Sequence, residues 1–268
     1  MAVEYFRNKV IWITGASSGI GEAFARALYA NGAFLILSSR REEALNKVKE
    51  QLGGDADRIA VLPLDLTESD SIPQKSAIAA SFFGPIDMLF SNGGVSQRST
   101  VLDSELSTLR DLMEVNYFGS VSIAKAVLPD MVARKQGHII VTSSVAGKIG
   151  TKFRSGYAGS KHAIHGFFDS LRQEMYKHNV AVTLLCPGFI KTNISVNALT
   201  ADGTPFGKMG DAHVDAMTAD EMVHLVLPKI ARRKEEIFVT GIKERMAMLV
   251  KRISPSLLNR ILKNQKVT

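Results

Sequence analysis

Residues 10–13, Val-Ile-Trp-Ile, form an apolar run of strand length that leads directly into Thr14-Gly15-Ala16-Ser17-Ser18-Gly19-Ile20-Gly21. Beyond the glycines, the pairs Ala23-Phe24 and Ala27-Leu28 recur at helical spacing until Asn31-Gly32 ends the pattern. Strand, glycine loop and helix, in that order, form the context that makes a glycine motif informative. Gly15, Gly19 and Gly21 let backbone approach a pyrophosphate, with Ser17, Ser18 and Ile20 in the same loop, and the helix N-terminus favours its charge. No Lys-Ser or Lys-Thr pair follows the loop, which excludes a P-loop. A glycine-rich turn without a ligand is the competing interpretation.

The same alternation continues along the chain. Residues 34–37 read as a second buried strand, ending at Ser38-Ser39-Arg40-Arg41. In a dinucleotide fold this end lies near the adenosine ribose, where a carboxylate would bind the 2′-hydroxyl. None is present. Arg40 and Arg41, beside Ser39, suit a 2′-phosphate and favour NADP over NAD, unless they merely solvate a helix start.

Residues 59–62 form a third strand, followed by Asp65-Leu66; Asp65 either bonds an adenine amine or caps the helix near Thr67 and Glu68. A fourth strand, 86–90, precedes Asn92-Gly93-Gly94, where small residues admit a ligand. One long helical region spans 104–134 and contains Asn116, a mediocre helix former. Asn116 is either a satisfied core amide or the cause of a kink that orders a water molecule. Strands at 138–141 and 180–185 follow, the latter ending in the turn Pro187-Gly188-Phe189-Ile190-Lys191-Thr192. Six strands alternating with helices, without repeat or linker, predict one Rossmann-type, doubly wound parallel α/β sheet with helices on both faces over residues 1–240. Ligands in such sheets sit beyond the carboxyl ends of the strands, where the glycine loop, Arg40, Asp65, Asn92, Ser144 and Pro187 all fall.

Tyr157 and Lys161, four residues apart, share one face if residues 155–161 are helical. An ammonium group beside a phenol lowers its pKa and makes it a usable proton donor or acceptor near neutral pH. Ser143 and Ser144 close the preceding strand, which could place a hydroxyl beside the phenol. An isolated Tyr-x-x-x-Lys is more often ordinary helix surface; the convergence of strand ends decides against that here.

These motifs resemble the short-chain dehydrogenase/reductase family over residues 9–240. Thr14-Gly15-x-x-x-Gly19-x-Gly21 is similar to its cofactor loop, and Asn92-Gly93-Gly94 stands where the family usually has Asn-Ala-Gly. Asn116, Ser144, Tyr157 and Lys161 resemble its catalytic tetrad, with the usual thirteen-residue step from serine to tyrosine. Pro187-Gly188, Ile190 and Thr192 resemble its turn over the nicotinamide. The stretches 143–148 and 167–172 look like the hydroxysteroid-dehydrogenase-like branch, and 195–198 with 200–203 look closest to its 7B-type members.

Two departures stand out. Gly93 replaces the common alanine. Ser18 stands where some NADP-preferring relatives carry a basic residue, which leaves Arg40 to bear most of that selectivity. The resemblance implies hydride transfer between NADP(H) and a carbonyl or alcohol carbon. Tyr157 would protonate the alkoxide and Ser144 would bond the oxygen. Lys161 would lower the tyrosine pKa and bind the nicotinamide ribose, and Asn116 would hold a water that links Lys161 to solvent. It also implies a homodimer or homotetramer. The alternatives are a catalytically idle NADP-binding protein and a membrane-surface interaction protein.

Residues 190–217 are expected to form a substrate lid. Val196, Leu199, Phe206, Met209 and Met217 there suit a small hydrophobic carbonyl or alcohol substrate, or else mark a small surface excursion. Residues 241–268 are expected as a separate amphipathic tail. Seven basic residues against Glu244 place +6 of the net +7 there, so the near-neutral body gives no support to nucleic-acid binding. Met246, Leu249, Val250, Ile253, Leu257, Leu258, Ile261 and Leu262 recur at helical spacing, with Ser254-Pro255 as a cap and first helical position. Such a stripe either lies on anionic lipid or packs on the domain or a subunit interface.

The polar N-terminal stretch and the lack of a long apolar run point to the cytoplasm, with membrane association left to the tail. One cysteine, Cys186, excludes a disulfide framework. No metal is expected; His162 and His165 are read as helix-surface residues.

Overall fold

The computed structural model describes residues 2–210 and 216–263; residues 211–215 of the expected lid and Lys266 of the basic tail lie outside the described residues. The strands are β1 (Val10–Thr14), β2 (Phe34–Ser38), β3 (Ile59–Val61), β4 (Met88–Ser91), β5 (Gly137–Thr142), β6 (Val180–Pro187), β7 (Ile190–Lys191), β8 (Met217–Thr218) and β9 (Glu236–Val239). Seven of them form one sheet in the order β3-β2-β1-β4-β5-β6-β9, with every neighbouring pair parallel. The short β7 and β8 pair separately.

Burial explains the parallel sheet. All five residues of β1 are buried. Ile11 and Ile13 enter one core with Phe24, Leu28 and Met222, while Trp12 enters the opposite core with Ile36, Leu89 and Phe168. A strand apolar on both faces has no solvent side, so crossover helices must cover both. Helices Gly19–Ala30 and Ala219–Ala231 cover the first face; Ile72–Phe83, Gly119–Arg134 and Ser155–Met175 cover the second. The Trp12 indole is satisfied within the core, donating to Ser38 Oγ at 2.9 Å, and that hydroxyl donates to Leu62 O at 2.7 Å.

The chain reverses its winding between β1 and β4, which opens a crevice at the carboxyl ends of those strands. The expected long helix is two, Leu106–Met113 and Gly119–Arg134, joined by a π-helical turn over Glu114–Phe118 that holds Asn116. The seventh strand, β9, is absent from the sequence pattern because only three apolar residues follow Lys234-Glu235-Glu236. Helices Ile242–Ile253 and Pro255–Lys263 fold back over the loop after β5: Lys251 Nζ donates to Lys148 O at 2.5 Å and Lys152 Nζ to Lys263 O at 2.9 Å.

Candidate active site

A cavity of about 1250 Å³ runs along the carboxyl edge of the sheet. Every expected catalytic or cofactor-binding residue lines it except the buried Gly21 and Asn116, whereas of the apolar lid residues Val196, Leu199, Phe206, Met209 and Met217 only Leu199 does. At one end the glycine loop is held close to the end of β4. Gly15 has φ +63°, a conformation that favours glycine. A Cβ on Gly21 would lie 2.2 Å from the carbonyl oxygen of Gly15, so Gly21 acts by letting the loop close, not by facing a ligand. Thr14 Oγ1 accepts from the amides of Asn92 and Gly93 at 3.0 and 3.1 Å, and Thr142 Oγ1 donates to Asn92 Oδ1 at 3.0 Å. A Cβ on Gly93 would clash with the flexible Leu66 Cδ1, at 2.6 Å, and otherwise make ordinary contacts with Thr14 Oγ1 at 3.5 Å and Gly15 N at 3.7 Å.

Arg40 and Arg41 are exposed at the end of β2 and line the same cavity. Asp65 Oδ1 accepts from the amide and hydroxyl of Thr67 at 3.0 and 2.9 Å, closing a turn that ends before the first helical residue, Ser69, so it caps no helix, and the residue lines the cavity. The glycine cradle fits the pyrophosphate of a dinucleotide, and the two guanidinium groups at the next strand end make no ion pair among the described residues.

The other end is built on helix Ser155–Met175. Its first amides find their acceptor on a distant residue: Gln97 Oε1 accepts from Gly156 N at 2.7 Å and Tyr157 N at 3.2 Å. Gln97 is fully buried and fixes where Tyr157 stands. Ser144 Oγ accepts from Ala146 N at 3.1 Å and donates to Pro187 O at 3.4 Å; turned from that long bond, its hydroxyl can donate to the Tyr157 phenol instead. Burial raises the Tyr157 pKa, opposed by that Ser144 bond and by the Arg154 guanidinium.

Lys161 is 4 % exposed and its ammonium donates to Thr142 O at 2.8 Å, 5.8 Å from the Tyr157 ring centroid. Burial lowers its pKa to about 8. The ammonium is turned to a carbonyl, and the cation acting on the phenol is Arg154. Arg154 was not singled out from the sequence, because it belongs to no motif.

Asn116 is fully buried, and its amide is engaged on both sides. Nδ2 donates to Val95 O at 2.9 Å and Ser160 Oγ at 3.0 Å, while Oδ1 accepts from Val95 N at 2.9 Å. Both amide protons are thus committed to protein, and the side chain ties the strand-end loop to the neighbour of Lys161 instead of presenting a donor to water. Gly94 is the companion signal: a Cβ there would lie 2.8 Å from Asn116 Oδ1 and 3.5 Å from Lys161 Nζ.

His162 is exposed, but His165 is not a surface residue. It lies with Cys186 and Glu236, their donor atoms within 4.8 Å of one another. Burial first, then Lys148, lowers the His165 pKa to about 4, and burial pushes the Cys186 thiol up to about 12. Lys148 Nζ is 2.7 Å from Glu236 Oε1, so the carboxylate already has its cation.

The far mouth is apolar. Ile242, Met246, Val250, Leu258 and Ile261 of the two C-terminal helices line the cavity, with Leu199 of the lid segment. Among the described residues no helix is long and apolar enough to cross a membrane.

A sequence profile of the short chain dehydrogenase family matches residues 9–202. The chain is 40% identical over 262 residues to dehydrogenase/reductase SDR family member 7B of Mus musculus, covering 96% of this chain and 81% of that protein. It is 40% identical over 260 residues to dehydrogenase/reductase SDR family protein 7-like of Drosophila melanogaster, covering 94% and 80%. Among solved structures, a short chain dehydrogenase/reductase from Burkholderia phymatum in complex with NAD superposes with a TM-score of 0.84 at 24% identity, covering 94% of this chain and 96% of that one. The alcohol dehydrogenase of Thermococcus sibiricus, complexed with 5-hydroxy-NADP, gives 0.75 at 25% identity, covering 88% and 97%.

Proposed function

The chain belongs to the short-chain dehydrogenase/reductase family, in its 7B-type group, and from that premise we propose an NADP(H)-dependent oxidoreductase acting on a hydrophobic ketone or secondary alcohol. One observation carries this assignment: Ser144, Tyr157 and Lys161 line the same cavity as the glycine loop and Arg40. The relatives of known structure carry both NAD and an NADP-type ligand, so the choice of NADP rests on Arg40 and Arg41.

Gly15, Ser17, Ser18, Gly19 and Ile20 would hold the pyrophosphate, and Gly21 keeps that loop closed. Ser39, Arg40 and Arg41 would take the 2′-phosphate, Asp65 and Leu66 the adenine. Asn92 and Gly93 would border the middle of the dinucleotide. Tyr157 and Lys161 would hold the nicotinamide ribose, and Pro187, Gly188, Ile190 and Thr192 the nicotinamide. The chemistry such a group supplies when bound is hydride transfer.

In the reducing direction, the neutral Tyr157 phenol gives its proton to the substrate oxygen, and Ser144 donates a hydrogen bond to the same atom as charge develops there. Ser144 can make that exchange because its present acceptor, Pro187 O, is a long 3.4 Å away. Lys161, with a pKa of about 8, is mostly cationic at pH 7 and can lose and regain a proton near neutrality, which suits it to resupply Tyr157. Asn116 is a positioning residue, acting through Ser160 and Val95.

Residues 1–240 are proposed as the catalytic domain, with residues 190–217 as its lid and 241–268 as an appended tail. Assembly as a homodimer or homotetramer belongs to the same proposal. The tail divides its apolar stripe: Leu258 is 3% exposed, whereas Ile253 is 75% exposed and Leu257 47%. The exposed part, with the exposed Arg252 and Arg260 on the same two helices, favours contact of the cavity mouth with an anionic membrane surface. Replacing Ile253 and Leu257 by Glu should cut co-sedimentation with phosphatidylserine vesicles; unchanged pelleting would count against lipid contact.

The direct test of the activity is NADPH consumption over ketosteroids, acyl ketones and aromatic diketones. Turnover of at least one class by the wild type is expected. NADPH binding without turnover of any would favour a catalytically idle cofactor-binding protein.

A further inference from the structure

We propose that Arg154 makes this site select substrates that carry an anionic group, a carboxylate or a phosphate, near the reacting carbon. The inference rests on the oxidoreductase assignment above and narrows its substrate class. Arg154 stands at the N-cap of the Tyr157 helix, one turn before the phenol, and lines the main cavity. Its Nε is buried without a hydrogen-bond partner. Asp65, Asp111 and Glu244 line the same cavity, yet among the described residues none pairs with Arg154.

The guanidinium lies over the Phe189 ring, 5.4 Å from its centroid, which holds it in place without neutralising it. A second cation stands close by. Arg98 lies 5.7 Å from the Phe206 centroid, and both arginines line a small adjoining recess with Gln97 and Ser195, where no carboxylate is found among the described residues. A buried guanidinium without a carboxylate or phosphate is costly: burial most and Arg98 least disfavour its charge, and only the Tyr157 phenol, itself held neutral by burial, favours it. A substrate carboxylate or phosphate would supply the missing acceptor in the bidentate form that guanidinium binds best. A wholly neutral ketone would leave Arg154 unpaired beneath it. The apolar mouth formed by Met246, Val250 and Leu258 then suits the rest of an amphiphilic molecule.

The test uses two probe pairs at saturating NADPH: 4-oxodecanoate against its methyl ester, and 2-oxodecyl phosphate against 1-hydroxydecan-2-one. The wild type should prefer the anion of at least one pair by about 10- to 100-fold in kcat/KM, mainly through KM. Which pair shows the preference distinguishes carboxylate from phosphate. R154M should bring that ratio close to one, and R154K should restore part of it. Arg154 also acts on the Tyr157 phenol, so both rates fall in R154M, and the ratio removes the common loss.

Calorimetric binding of decanoate and decyl phosphate to the full chain without cofactor gives a second readout, expected to weaken about tenfold in R154M. Equal use of anionic and neutral probes by the wild type, a preference that survives in R154M, or binding indifferent to R154M would overturn the inference while leaving the oxidoreductase assignment standing. Binding of an anion through Arg154 with no turnover of any probe would overturn that assignment instead.

Discussion

The two ends of the cavity are built on different principles. The nucleotide end is made of backbone brought into near contact: Gly15 at positive φ, Gly21 with no space for a Cβ, Thr14 clamping two amides of the next loop. The substrate end is made of side chains from four distant segments: Tyr157 and Arg154 on one helix, Phe189 after β6, Leu199 in the lid segment, and Met246 and Leu258 in the tail. A ligand with fixed pyrophosphate geometry can be met by a rigid backbone cradle. A substrate that differs among related enzymes is met by exchangeable side chains. The first end should therefore tolerate almost no substitution, and the second should retune selectivity before it loses activity.

Tyr157→Phe should have the largest effect, lowering kcat by about 10²- to 10⁴-fold. Its NADPH dissociation constant, read by nucleotide fluorescence, should stay within about threefold of wild type, since the ring is kept. Near-wild-type turnover would remove Tyr157 from the chemistry. Ser144→Ala should follow at about 10²- to 10³-fold in kcat, the usual loss of one preorganised donor.

Gly21→Ala sharpens the contrast between the ends. A methyl group 2.2 Å from a backbone oxygen must displace the loop, and overpacking of about 1–3 kcal/mol corresponds to an NADPH affinity loss of roughly 5- to 150-fold. Tolerance of alanine there would contradict the rigid-cradle account. Arg40→Ala should weaken NADPH by about tenfold and leave NADH nearly unchanged, because a charge-assisted bond to the 2′-phosphate is lost. Tighter binding of NADH than NADPH by the wild type would refute the role of Arg40.

The smallest effect concerns stability and falls on the half of the sheet formed by β5, β6 and β9. Burial chiefly holds His138 down to about 3, where it bonds Thr183 Oγ1 at 2.8 Å between β5 and β6, and His165 down to about 4. Both folded values lie below the ordinary histidine value of 6.5, so the unfolded chain takes up the extra protons as the pH falls below it. The associated stability is full above that value and is lost on acidification, by about 1–2 kcal/mol per pH unit for each histidine. Hydrogen-exchange protection factors, each referred to the unfolded-chain rate at the same pH, should fall between pH 7.5 and pH 5 more in β5, β6 and β9 than in β1 and β2. A uniform fall would count against a localised origin.

The nucleotide end was legible in the sequence because its residues are local. A strand, three glycines and a helix lie within 21 residues (10–30), and each further strand end announces itself by a break in an apolar run. The architecture followed from that alternation. What escaped depends on tertiary contacts. Gln97 reaches the Tyr157 helix across 59 positions, Arg154 belongs to no periodicity, and Lys161 is turned to Thr142 O. His165 reads as surface on a helical wheel and is covered only once Cys186 and Glu236 fold over it. β9 is a strand because β6 offers it an edge, not because its residues insist on it.

The central claim is that one cavity joins a phosphate-reading cradle to the Ser144–Tyr157–Lys161 wall. A crystal structure of the full chain with NADP+ tests it most directly. The account predicts the 2′-phosphate at Arg40 and Arg41 and the nicotinamide ring against Ser144 and Tyr157. A dinucleotide bound elsewhere, or one whose nicotinamide lies away from Tyr157, would contradict it.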